Sequence, residues 1–94
     1  MLVTITEFSR LARDDNGNLV PLGEGRLACQ ARTSAGAFSP LSSATKIIRV
    51  ATDTSIQIDI AGGSVSTSDE LMPGPLVEYF TVRGGETINI ALAA

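Results

Sequence analysis

The stretch from Val77 to Leu92, Val-Glu-Tyr-Phe-Thr-Val-Arg-Gly-Gly-Glu-Thr-Ile-Asn-Ile-Ala-Leu, constrains this chain more than any other. Two runs of β-branched and aromatic residues flank Arg83-Gly84-Gly85-Glu86, where the paired glycines supply positive φ at no steric cost. Ile88, Ile90 and Leu92 share one parity and Thr87 and Asn89 the other; Phe80 and Val82 alternate with Tyr79 and Thr81, and Glu78 falls on the Phe80 side. Period-two alternation about a tight turn predicts a half-buried C-terminal antiparallel hairpin.

The same period recurs upstream. Leu2 to Phe8 predicts a strand with Val3 and Ile5 on one face and Thr4 and Thr6 on the other. Asp15-Asn16-Gly17-Asn18 predicts a hairpin turn within Arg10 to Val20. Asp14-x-Asn16-x-Asn18 also suggests a calcium loop, but the positions where an EF-hand needs glycine and a bidentate glutamate hold Leu19 and Gly25. Gly23 and Gly25 predict a second turn, followed by a strand to Arg32 with Leu27, Cys29 and Ala31 inward and Arg26, Gln30 and Arg32 outward. Lys46 to Thr52 resumes a strand with Ile48 and Val50 inward and Arg49 outward. After Asp53-Thr54-Ser55, Ile56, Ile58 and Ile60 alternate with Gln57 and Asp59, the cleanest such run in the chain, and Ala61-Gly62-Gly63 ends it. Residues 33–45 and 64–75 read as loops, the second containing Asp69-Glu70 and a Met72-Pro73-Gly74-Pro75 corner whose prolines exclude a central strand. The expectation is one all-β domain over residues 1–94, a small antiparallel β-sandwich or barrel of six to eight short strands.

Composition narrows the chemistry. The chain has no histidine and one cysteine, so Ser-His-Asp, Cys-His and zinc arrangements in their usual forms are out of reach. Cys29 reads as a small core residue in a protein made in a reducing compartment. The glycine pairs lack the companions of a phosphate-binding loop, and Asp69-Glu70 reads as solvated polar loop. No enzyme activity, cofactor, metal or small-molecule substrate is expected. A net charge of −3 argues against nucleic-acid binding. No apolar run nears the roughly 18 residues of a membrane span. No basic-then-apolar segment opens the chain, so cytosolic synthesis is expected.

Thr45 to Ile90 carries a sequence of short elements: Arg49-Val50, Asp53-Thr54, Ile56 to Ile60, Gly62-Gly63, Leu71 to Pro75, Glu78-Tyr79-Phe80 and Gly84-Gly85. In this order they resemble a group of small proteins encoded among the head and tail genes of tailed bacteriophages and prophages. Met72-Pro73-Gly74-Pro75 departs from the plainer Pro-Ala-Gly corner of that group. The resemblance implies a virion-associated structural role, such as capsid decoration or a head–tail component, with other virion proteins as partners. It transfers no catalytic residue. An adhesin-like or ligand-binding β-sandwich is the alternative expectation, and a hydrolase a distant third.

Charge suggests how such a domain would assemble. Residues 1–50 carry Arg10, Arg13, Arg26, Arg32, Lys46 and Arg49 against Glu7, Asp14, Asp15 and Glu24, whereas residues 51–94 carry Arg83 against Asp53, Asp59, Asp69, Glu70, Glu78 and Glu86. If the two halves lie on different faces, homo-oligomers docked head-to-tail are expected, with Arg26, Arg32 and Arg49 facing Asp59, Glu78 or Glu86; if the halves intermix in one sandwich, the charge split vanishes from the surface. Phe38 and Leu41 are expected to fold back on the core; the alternative is that they and Met72, in the two long loops, are the apolar anchors of that head-to-tail interface.

Overall fold

The computed structural model describes residues 1–60 and 70–92. Its strands are β1 (Val3–Arg13), β2 (Leu19–Arg32), β3 (Gly36–Ala37), β4 (Ile47–Thr52), β5 (Ile56–Asp59), β6 (Glu70–Met72), β7 (Leu76–Thr81) and β8 (Asn89–Leu92). They form two four-stranded sheets, ordered β2-β1-β4-β7 and β3-β8-β5-β6, with antiparallel neighbours throughout. The expected all-β fold is thus a two-sheet sandwich and not a closed barrel. The expected turn at 61–63 and the polar stretch from Ser64 to Asp69 lie outside the described residues.

Alternation decides which side of each strand is buried. Val3 and Ile5 from β1, Ile48 and Val50 from β4, Ile56 and Ile58 from β5, and Ile90 from β8 form one core, which Ile88 joins from the approach to β8. Ile60, Phe80 and Val82 are half-buried against it. Arg49 points outward, as its parity requires. Residues between the long strands contribute as well: Phe38, Leu41 and Met72 are core residues with 4%, 3% and 0% exposure, so Phe38 and Leu41 fold back on the core as expected, and the alternative role of the three as interface anchors is closed to them. Met72 belongs to the short edge strand β6, which ends where Pro73 withdraws a backbone donor.

Two local expectations change. The C-terminal hairpin is absent: β7 pairs with β4 in the first sheet, and β8 pairs with β5 and β3 in the second. Phe80 and Ile88 therefore reach the same core from opposite sheets, and Arg83–Glu86 is a crossover. The loop before β4 makes this possible by bonding to the segment that would otherwise close the hairpin. Phe38 N–H donates to the Ile88 carbonyl at 2.9 Å, Leu41 N–H to the Glu86 carbonyl at 2.9 Å, and Gly85 N–H to the Leu41 carbonyl at 3.2 Å. Gly84 packs so closely on the Ser43 backbone that a Cβ would overlap its carbonyl.

The second change concerns β2, which runs unbroken through Gly23 and Gly25 with no turn there. Its register with β1 shifts between Glu7 and Phe8, leaving Leu27 as the extra residue of a bulge. On the far side of that bulge Gln30 lies opposite Ile5 and Arg32 opposite Val3, while Cys29 lies opposite Thr6. The expected parity is inverted: Leu27, Cys29 and Ala31 are exposed. An edge strand tolerates polar inward residues when they find partners. The Gln30 side-chain amide donates to the Ser39 carbonyl at 3.0 Å and accepts from Ser39 N–H at 2.8 Å. The Arg32 guanidinium donates to the carbonyls of Ser34, Ala35 and Ala37 at 3.2, 3.1 and 2.9 Å.

Candidate interaction surface

Strand β7 carries more apolar surface than one face of a sheet can bury. Leu76, Glu78 and Phe80 share the inward parity with their β4 partners Thr52, Val50 and Ile48. Val77, Tyr79 and Thr81 therefore face outward beside Ala51, Arg49 and Ile47. Part of this outer face is already covered. The Phe8 and Tyr79 rings lie 6.2 Å apart at a tilt of 40°. Phe8 and Ile47 are consequently only 8% and 4% exposed, and the Phe8 ring fills the space that a side chain at Gly23 would need.

The other end of the same face is uncovered. Leu2 and Val77 are 47% and 56% exposed. With Thr4, Ala51, Asp53 and Leu76 they line an open, mainly apolar groove of about 560 Å³. Its rim is fixed by a reciprocal pair of bonds: Leu2 N–H donates to Asp53 Oδ1 at 2.8 Å, and Asp53 N–H donates to the Leu2 carbonyl at 3.2 Å. The bond from Leu2 N–H, more than any other influence, holds the Asp53 carboxyl below its ordinary range.

β7 also ends its sheet, and among the described residues no strand pairs with its outer edge. Val82 N–H donates to the Lys46 carbonyl at 2.9 Å. The two-residue repeat of an antiparallel ladder then turns the peptide groups of Phe80, Glu78 and Leu76 toward β4. Those of Val77, Tyr79 and Thr81 point away from the sheet. The surface thus combines an apolar groove with a row of backbone donors and acceptors beside it.

The charged candidates separate. Arg26 and Arg49 are exposed on the outer side of the first sheet, and Arg49 donates to Thr6 Oγ1 at 3.4 Å. Arg32 is occupied by loop carbonyls. Glu78 points inward, Glu86 accepts from Arg83 N–H at 2.6 Å, and Asp59 lies half-buried on β5. Because β7 brings Glu78 into the sheet of Arg49, the acidic and basic halves do not form two opposing faces. Asp14 Oδ1 accepts from Asn16 N–H and Asn18 N–H, both at 2.9 Å, so its carboxylate serves the β1–β2 turn. Among the described residues no three His, Cys, Asp or Glu side chains gather in one place.

Two features went unnoticed in the sequence although signals for both were present. Three consecutive residues, Pro75-Leu76-Val77, leave an apolar side chain outward whatever the register. Glu7 shares the parity of Val3 and Ile5 and is accordingly inward and 2% exposed. Compared with protein-family models, curated proteins and solved structures, the chain matches none.

Proposed function

We propose that this chain is a structural or assembly component of a phage or prophage virion, a capsid decoration or head–tail protein that acts through protein–protein contacts and catalyses no reaction. It is made in the bacterial cytoplasm and enters the particle there. The observation that carries the assembly reading is the outer surface of the first sheet at β7, where exposed Val77 lies on an edge that no strand among the described residues pairs, and exposed Leu2 lies across β4 on the same groove. Exposed apolar area next to open backbone groups favours protein contacts, because an added strand gains main-chain bonds and buries side chains in one step. The virion assignment rests on the likeness of the segments from Arg49-Val50 to Gly84-Gly85 to small head and tail proteins.

A ligand-binding sandwich is the second reading, favoured by the groove at Leu2 and Val77, whose volume falls within the range of small-molecule sites. Mass spectrometry of gradient-purified particles, induced from the source strain, separates the two. The virion reading expects the chain in the particles at a stoichiometry fixed between preparations. A chain abundant in the lysate and missing from the particles would sink it.

A further inference from the structure

We propose that β7 pairs with β7 of a second copy, joining two first sheets into one eight-stranded sheet about a two-fold axis at Tyr79. This deepens the assembly reading by naming its first partner, and it rests on that reading's choice of surface, not on the virion.

The outer edge of β7 fixes the geometry. Val77, Tyr79 and Thr81 turn their N–H and C=O groups to that edge, so a symmetric antiparallel partner must set odd residues against odd ones. Three registers satisfy this near the middle of the strand. With Glu78 at the centre, two carboxylates oppose each other directly, which is destabilising. With Phe80 at the centre, Leu76 and Val77 overhang the end of the opposing strand. With Tyr79 at the centre, Val77 faces Thr81 of the second copy, Glu78 faces Phe80, and Tyr79 faces its own equivalent.

This last register also completes the surroundings. On the outer face it sets the exposed Val77 in a row with Thr81, Ile47 and Phe8 of the second copy, extending the apolar patch of that copy over the open groove. Its central row runs Arg49, Tyr79, Tyr79, Arg49, with a guanidinium at the outer flank of each ring. On the inner face Leu76 meets Val82 of the second copy, so two half-buried residues close the seam between the cores. The contact is isologous and closes at two copies.

The test is sedimentation equilibrium joined to amide hydrogen exchange on the native chain. A dimer is expected at about 0.1 mM protein, a concentration at which micromolar association is complete. Within it, the amides of Val77, Tyr79 and Thr81 exchange at least tenfold more slowly than in dilute monomer, while those of Glu78, Phe80 and Val82 are protected in both. Thr81→Pro removes an edge-facing N–H that β4 does not use, so it yields a monomer with unchanged circular dichroism. If that variant does not fold, the exchange pattern of the native chain still decides. A monomer at every concentration overturns the pairing, as does a dimer whose Val77, Tyr79 and Thr81 amides stay unprotected. Such a monomer found in purified particles would remove the pairing while leaving the virion role intact.

Discussion

Glu7 shows how one polar residue can organise a loop. Its Oε1 accepts from Ser42 N–H and Thr45 Oγ1–H, both at 2.7 Å, and its Oε2 accepts from the Gln30 side-chain amide at 3.5 Å. Thr45 is itself fully buried. Glu7→Ala would leave the buried Thr45 hydroxyl unpaired and take the acceptor from Ser42 N–H, at a cost of about 1–3 kcal/mol. Urea denaturation measures this, and an unchanged midpoint would show that the loop does not depend on Glu7. Asp53 makes a different prediction. Its folded-state pKa is lowered from 3.8, chiefly by the Leu2 N–H bond, so the folded state favours the carboxylate. That contribution is fully present above the ordinary value and disappears as pH falls through the lower folded value. Wild type and Asp53→Asn should therefore differ in stability by a constant amount above about pH 5 and converge under acid. A difference that grows on acidification would reverse the assignment.

At the scale of elements, what was legible in the sequence is what depends on neighbours along one strand. Ile56 and Ile58 announce their burial by alternation, and Ile58→Ala should cost about 2–5 kcal/mol in a chemical melt. Arg49 between Ile48 and Val50 was equally readable. Pairing was not, because it is settled by parts of the chain far apart. Nothing within 77–92 shows that Leu41 will take the backbone bonds of Gly85 and Glu86, or that β7 and β8 will part to opposite sheets. A one-residue bulge at Leu27 likewise inverts β2 without leaving a mark in composition. The apolar groove was half-legible: Pro75-Leu76-Val77 implied an outward apolar residue, but its meeting with Leu2 depends on the order β1-β4-β7. The crossover supplies its own test. Gly84→Ala would drive a Cβ into the Ser43 carbonyl, and overpacking of this kind costs about 1–3 kcal/mol. A variant as stable as wild type would mean that the 83–86 turn is not pressed against that loop.

Across the whole molecule, stability is unevenly distributed. The molecule measures 43 × 25 × 22 Å, and its long dimension is consistent with a two-stranded ribbon that outruns the sheet. β1 pairs with β4 from Val3 to Phe8 but with β2 as far as Arg13. From Ser9 to Arg13, roughly 17 Å at the ~3.4 Å rise of an antiparallel strand, no third strand among the described residues supports the ribbon. What holds it is local: the exposed Arg10–Glu24 ion pair at 3.3 Å, the bond from Arg13 to the Gly17 carbonyl at 2.7 Å, and the Asp14 turn. A two-stranded ribbon is marginal in water, and an exposed ion pair adds little. The sandwich differs, because β4 is bonded on both edges and buries Ile48 and Val50 completely. The arm should therefore open without unfolding the domain. In native-state hydrogen exchange, amides of Arg10 to Arg13 and of Leu19 should exchange with an opening free energy well below the global value, while those of Ile48 and Val50 exchange only on global unfolding. Exchange of both sets at the global rate would mean that the ribbon is integral to the fold.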